Sequence, residues 1–181
     1  VCGIAAVKNN FSTSEGVTID YVDPANLVYS YTEDPYFQDI YYVGEIKSIP
    51  VNELVKQFPQ LTQDQLEEII QDPSYNNSNY DNSLDYNNNA DSNKVQVLYF
   101  NYKTYMNQVY KLKSTAAGGE KAIEKTDSFN PQENQNFSKL STAVEVLYEG
   151  AMILGTDKLL KWELAKNMMR PKSDYTKVKM N

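Results

Sequence analysis

YVDPANLVYSYTEDPYFQDIYYVGEIKSIPVNELVKQFP, residues 21–59, carries tyrosines at 21, 29, 31, 36, 41 and 42, with no histidine, no cysteine and a single glycine. Within it, DIYYVGEIK (39–47) gathers aromatic and β-branched residues at the density of a strand. An earlier strand, VTIDYV (17–22), places Val17, Ile19 and Tyr21 on one face and stops at Asp23-Pro24. Proline has no backbone donor to give a sheet and restrains the residue before it. TEDPYF (32–37) reads as a turn. Two short helices are expected next. Ser48 is placed to cap VNELVKQF (51–58), whose Leu54, Val55 and Phe58 form an apolar stripe closed by Pro59. Thr62 and Gln65 form a capping box, each side chain satisfying an orphan backbone donor of the second helix. Leu66, Ile69 and Ile70 line that helix, and Pro73 follows it.

Outward from this stretch, VCGIAAVK (1–8) reads as a buried strand and NNFSTSEG (9–16) as a turn cluster. The first segment is therefore 1–73. Residues 74–94, dominated by Asn, Asp, Ser and Tyr, have little to bury and read as a mobile loop. VQVLYFNYKTY resumes strand character, and a tip at Asn107-Gln108 with a return along VYKLK makes 95–113 a β-hairpin. Residues 114–138, with AAGG at 116–119, read as a flexible polar loop. In 139–181, AVEVLYEG, MILGTD and KLLKWELA read as strands joined by tight turns at Glu149-Gly150 and Gly155-Thr156-Asp157, before a polar tail through RPKSDYTK. The expected class is α+β, mainly β, with antiparallel strands and hairpins and two short helices in the first half.

Of the 181 residues 41% are apolar, many of them tyrosine, whose hydroxyl favours half-buried faces and contacts between molecules. A modest core under a wide, wet surface follows. Cys2 has no partner for an internal disulfide, which fits a reducing compartment. No run of about 18 apolar residues offers a membrane span, and no signal-peptide pattern opens the chain. The chain starts in strand-like sequence without methionine and is read as a piece of a longer protein. The net charge of -7 is unevenly spread: residues 1–93 hold 15 acidic and 3 basic side chains, residues 94–181 hold 9 and 14. A basic half draws phosphate or an acidic neighbour.

Catalytic patterns are sparse. Without histidine no Ser-His or Cys-His pair forms, and Cys2 sits in an expected buried strand. The carboxylate pairs Asp20/Asp23, Glu33/Asp34 and Glu67/Glu68 fall at a strand end, a turn and an exposed helix face, where nothing suggests the enclosure acid–base work needs. Asp85, Asn87, Asn89 and Asp91 alternate as EF-hand ligands do, but Ala90 replaces the turn glycine and Gln96 the bidentate carboxylate. No Gly-rich phosphate loop is present. Trp162 alternates with Leu160 and Leu164, which favours core or interface over a sugar platform. No enzyme activity, cofactor or metal is expected.

YVDP, the strand DIYYVGEIKSI and VNELVKQFP, followed by VQVLYFNYKTYMNQVYK and AVEVLYEGAMILGTDKLLKWELAKNMMRP, resemble the wing and clip-leading passages of portal proteins of tailed bacteriophages, most like those of crAss-like phages of gut Bacteroidota. The resemblance implies a wing-like segment at 1–73 and a clip-like one at 139–181. It implies a virion structural protein at the capsid vertex, assembled in the bacterial cytoplasm as a ring of about twelve copies. It also implies partners: the packaging motor, the head–tail adaptor, and double-stranded DNA passing through the ring, with no membrane involved. Possible subunit or adaptor contacts are Tyr36, Tyr41, Tyr42, Lys158, Lys161, Trp162 and Arg170. The acidic first half and basic second half invite head-to-tail pairing, with 158–179 as the basic partner. A glycan-binding β module and another phage head–tail or baseplate component are the alternatives.

Overall fold

The computed structural model describes residues 3–12, 14–34, 36–37, 39–71, 94–115, 118–132, 137–165 and 172–179. The fold is mainly β, with antiparallel sheets and two short helices in the first half, as the sequence predicts. In chain order the elements are β1 (Ile4–Ser12), β2 (Gly16–Val22), a single 3-10 turn (Pro24–Asn26), β3 (Leu27–Tyr29), β4 (Tyr42–Pro50), α1 (Val51–Gln57), α2 (Gln63–Gln71), β5 (Lys94–Ser114), β6 (Glu120–Lys125), β7 (Phe137–Ile153), β8 (Leu159–Leu164) and β9 (Tyr175–Lys179). One sheet has the order β2-β1-β9. The other has the order β3-β4-β5-β7-β8, with β6 also paired to β5. Two compact units result, Val1–Tyr102 with Leu147–Asn181, and Lys103–Val146.

In the first unit the strand period of two decides what is covered. Val43, Glu45, Lys47 and Ile49 of β4 share a face and pair with Asn101, Tyr99, Val97 and Val95 of β5. At the Ile49 end, Leu54, Phe58 and Ile69 from the helices join Val95, Val97, Ala151, Ile153 and Leu160 in one apolar core. At the Val43 end, Ala6, Val22 and Tyr175 of the three-stranded sheet join Phe37 and Ile40 in a second. Glu45 and Lys47 lie along β4 between these cores. The capping box forms as expected: Gln65 N–H donates to Thr62 Oγ1 at 3.4 Å, and Thr62 N–H to Gln65 Oε1 at 3.0 Å.

Several expectations are corrected. Ser48 stays in β4, and α1 starts after Pro50 with no side-chain cap; Asn52 Oδ1 accepts from Glu53 N–H at 2.8 Å. Val55 and Ile70 face solvent while Val51 and Leu66 pack inward, because the helices are short and present narrow stripes. Asn9–Ser12 belong to β1, since β2 offers them a pairing edge through the left-handed Gly16.

There is no reversal at Asn107-Gln108. β5 runs on, and Asn107 is held laterally, donating from Nδ2 to Asp127 and accepting from Ser141 Oγ. The chain turns instead at Thr115–Gly119, where Gly118 has a positive φ and Thr115 N–H donates to Gly119 O at 2.7 Å. Glu120–Lys125, expected to be loop, then pairs with β5. Glu149-Gly150 is no turn either, for β7 continues straight through it. The turn at Gly155-Thr156-Asp157 is where it was expected, with Ile153 N–H donating to Lys158 O. The polar tail contributes a strand, β9, whose Tyr175–Lys179 pair with Lys8–Ile4 of β1. The Asn-rich segment 74–93, with the calcium-like ligands Asp85 to Asp91, lies outside the described residues, as do Cys2, Pro73 and Arg170; Gln96 is buried in β5.

Candidate functional site

The polar belt between the two cores collects the most unusual electrostatics of the first unit. A cleft of about 80 Å³, room for a few waters, is lined by Lys8, Tyr99, Asn101, Glu149, Lys161 and Asp174, with the ring of Tyr175 at its wall. Each strand sends one or two polar side chains onto the covered face here: β1 gives Lys8, β5 gives Tyr99 and Asn101, and β9 gives Tyr175. Lys8 Nζ lies 5.5 Å from the Tyr99 ring centre and 5.3 Å from that of Tyr175, a cation held between two π faces. Burial, helped by the charge of Lys47, lowers its pKa, against the pull of Glu45, Asp174 and Glu149. Burial and the charge of Glu149 raise the Asp174 carboxyl, opposed by a hydrogen bond with Asn101. Glu45 is 5% exposed; its Oε2 has Lys47 Nζ at 3.3 Å as an ion-pair contact, without a hydrogen bond.

Tyr99 donates to Gln57 Oε1 at 2.6 Å, and burial, with the charges of Glu53 and Glu45, pushes its pKa up to about 12. Tyr175 O–H donates to Tyr99 O at 3.3 Å, and burial raises it further. Both phenols titrate lower in the unfolded chain than in the fold, so below pH 10 they cost nothing. As pH climbs from 10 towards 12 the unfolded chain ionises first and stability is lost. We expect the denaturation midpoint to fall steeply in that window, and Tyr99→Phe to flatten the fall. An equally steep loss in Tyr99→Phe would show that other groups set it.

The residues expected to make contacts are distributed as follows. Tyr41, Tyr42 and Trp162 are brought together through Tyr102. Tyr41 meets Tyr42 and Tyr102 edge-on at 5.2 and 6.4 Å, and Trp162 lies 6.2 Å from Tyr102. Trp162 also stacks on Tyr148 at 4.8 Å with 11° between planes. This aromatic run occupies the sheet face opposite the polar belt, since Tyr42, Phe100 and Tyr102 alternate with Val43, Tyr99 and Asn101. Tyr36 is apart from it, three-quarters exposed in the turn, its N–H donating to Asp34 Oδ1. Lys158 pairs with Glu68, and Lys161 with Glu149 at 3.1 Å and Glu163 at 3.4 Å. Burial disfavours the Lys161 charge, but the Glu149 hydrogen bond and charge, with Glu163, hold its pKa above the ordinary value. These lysines are thus engaged within the chain.

Sequence reasoning missed the outer face of the β2-β1-β9 sheet. Val17, Ile19 and Tyr21 do share a face, yet they are 71%, 68% and 72% exposed, and Phe11, opposite Val17, is 77% exposed. The parity signal was in VTIDYV; what it could not say was which face the second sheet would cover. Among the described residues no cluster of three metal-ligating side chains occurs, and no helix is long and apolar enough to cross a membrane. No family model and no curated protein matches the chain.

Proposed function

We propose that the chain is part of a portal subunit of a tailed bacteriophage. In this reading it is a non-enzymatic virion component joining copies of itself in a ring at the capsid vertex. DNA is packaged and ejected through that ring, and the head–tail adaptor attaches to it. The observation that carries the reading is the outer face of β1 and β2. Phe11, Val17, Ile19 and Tyr21 together leave roughly 500 Å² of ring and branched-chain surface in water, at the upper end of what a monomer keeps uncovered. Covered by a complementary surface of equal size on a neighbouring copy, the patch reaches the lower bound of a specific protein interface, about 1,000 Å² in total. A subunit whose work is contact needs such faces and no tuned catalytic pair.

The test is imaging of the full-length chain by negative stain together with mass photometry. Rings of about twelve copies are expected. The triple variant Val17→Ser, Ile19→Ser, Tyr21→Ser should fold yet weaken assembly at least ~10-fold. A full-length protein that stays monomeric at high concentration overturns the portal reading. Rings indifferent to the triple change remove this face from it. The glycan-binding alternative draws on the partly exposed Trp162 in its aromatic run. Oligosaccharide binding on an array, lost in Trp162→Ala, would favour it.

A further inference from the structure

Among the described residues a second group of cations lies outside 158–179. In 158–179, Lys158 and Lys161 form ion pairs, Lys177 is 7% exposed and Lys172 is exposed. The denser cluster of positive charge sits in the second unit. There Val109, Lys111 and Lys113 of β5 stand opposite Lys125, Ile123 and Lys121 of β6. Directly opposed residues of an antiparallel pair project to the same side, so Lys111, Lys113, Lys121 and Lys125 share one face. Glu120 and Glu124, opposite Ser114 and Tyr110, fall on the other. Contacts extend the basic face across β7, for Lys111 Nζ lies over the Phe137 ring at 3.3 Å. Lys139, two residues on from Phe137, reaches Asp127 O and Asn130 Oδ1. Lys103 with Glu145, at 3.5 Å, completes it, so all six lysines of 103–146 lie on one side.

This arrangement is costly in isolation. Lys113 and Lys121 are directly opposed like charges, which destabilise a sheet. Lys113, Lys121 and Lys125 are exposed, and among the described residues none of the three has an ion pair. Lys111 and Lys113 rest on aromatic rings, not on carboxylates. A polyanion would repay the cost. The chain itself supplies one of matching spacing. Asp64 and Glu67, three apart on exposed α2, set their Cβ atoms about 5–6 Å apart. The opposed Lys113 and Lys121 set theirs about 4.5–5.5 Å apart. Nucleic acid is the poorer fit, because a chain of net charge -7 repels a phosphate backbone at range.

We propose that the lysine face of residues 103–146 docks on the α2 carboxylates, Asp64 and Glu67, of a second copy of this chain. The contact is heterologous, head to tail, and propagates in one direction as a ring requires. It rests on the subunit reading above and names a surface for it.

A pair of reversals tests it in the full chain. Variant one carries Lys113→Glu, Lys121→Glu and Lys125→Glu; variant two carries Asp64→Lys and Glu67→Lys. All five positions are exposed, and circular dichroism checks that both variants fold. By sedimentation velocity each alone should associate at least ~10-fold more weakly than the parent, because like charges now face one another. An equimolar mixture should recover assembly, since every junction between alternating copies is again of opposite sign. Parental assembly should also weaken with added salt. Variants that assemble like the parent, or a mixture of folded variants that stays dissociated, overturn the proposal. So does a variant one that assembles normally but loses retention of duplex DNA. If the parent assembles and only the serine variant of the β2 face fails, the subunit reading stands and this contact does not. If the parent never assembles, both fall.

Discussion

Leu54→Ala should lower the unfolding free energy by about 2–5 kcal/mol, read from urea or thermal denaturation. Leu54 is fully buried where α1 meets the sheet, with Phe58, Ile69, Val95 and Ile153 in the same core. The substitution removes the apolar surface it hides and leaves a cavity that a sheet braced by two helices fills poorly. Val55, the next residue and equal to Leu54 by sequence pattern, is 38% exposed, and Val55→Ala should stay within about 0.5 kcal/mol. The contrast makes the test sharp. Equal effects at the two positions would mean that α1 docks on a different face.

Gly150→Ala is the second large effect, expected at about 1–3 kcal/mol of destabilisation. A methyl group there would stand 2.8 Å from both Cε1 and Cε2 of Phe100, inside van der Waals contact. The ring has little room to retreat, because Trp162 lies against it at 5.9 Å. Phe100→Leu should therefore lower the cost of Gly150→Ala in a double-mutant cycle, a coupling characteristic of touching residues. Additive losses would show that the glycine is needed for some other reason. Gly44, paired with Phe100 across β4 and β5, is crowded by a different set of atoms: a methyl there would stand 2.7 Å from Tyr99 O and 2.9 Å from Phe100 Cβ. Neither glycine has a positive φ; Gly150 makes way for an aromatic ring and Gly44 for the neighbouring strand's backbone.

That relation explains what the sequence could and could not convey. Gly150 followed Glu149 in a β-rich stretch and resembled a turn signal, because pattern alone cannot tell a glycine that bends the chain from one that makes way for a ring across the sheet. Asn107-Gln108 misled for a parallel reason. Asparagine favours turns when its side chain has only its own backbone to bond, but here Asp127 and Ser141 satisfy it from neighbouring segments. The elements that were legible are governed locally: the Thr62–Gln65 capping box, the strand around Val43–Lys47, and the turn at Gly155. Those that were not depend on distant partners. β9 reads as a polar tail until β1 is there to pair with it, and Lys8 reads as an ordinary strand lysine until Tyr99 and Tyr175 arrive from other strands. The same limit applies to charge. Counting located a basic half, but only pairing register separated the lysines held internally from those displayed on one face of residues 103–146.

The pairing of Ile4 with Lys179 has a mechanical consequence. The two residues lie side by side on neighbouring strands, about 5 Å apart. Tension that pulls the two ends away from each other meets the β1–β9 ladder one rung at a time, the geometry in which a zipper opens at low force. Tension along either strand against the body of the sheet would load the rungs together.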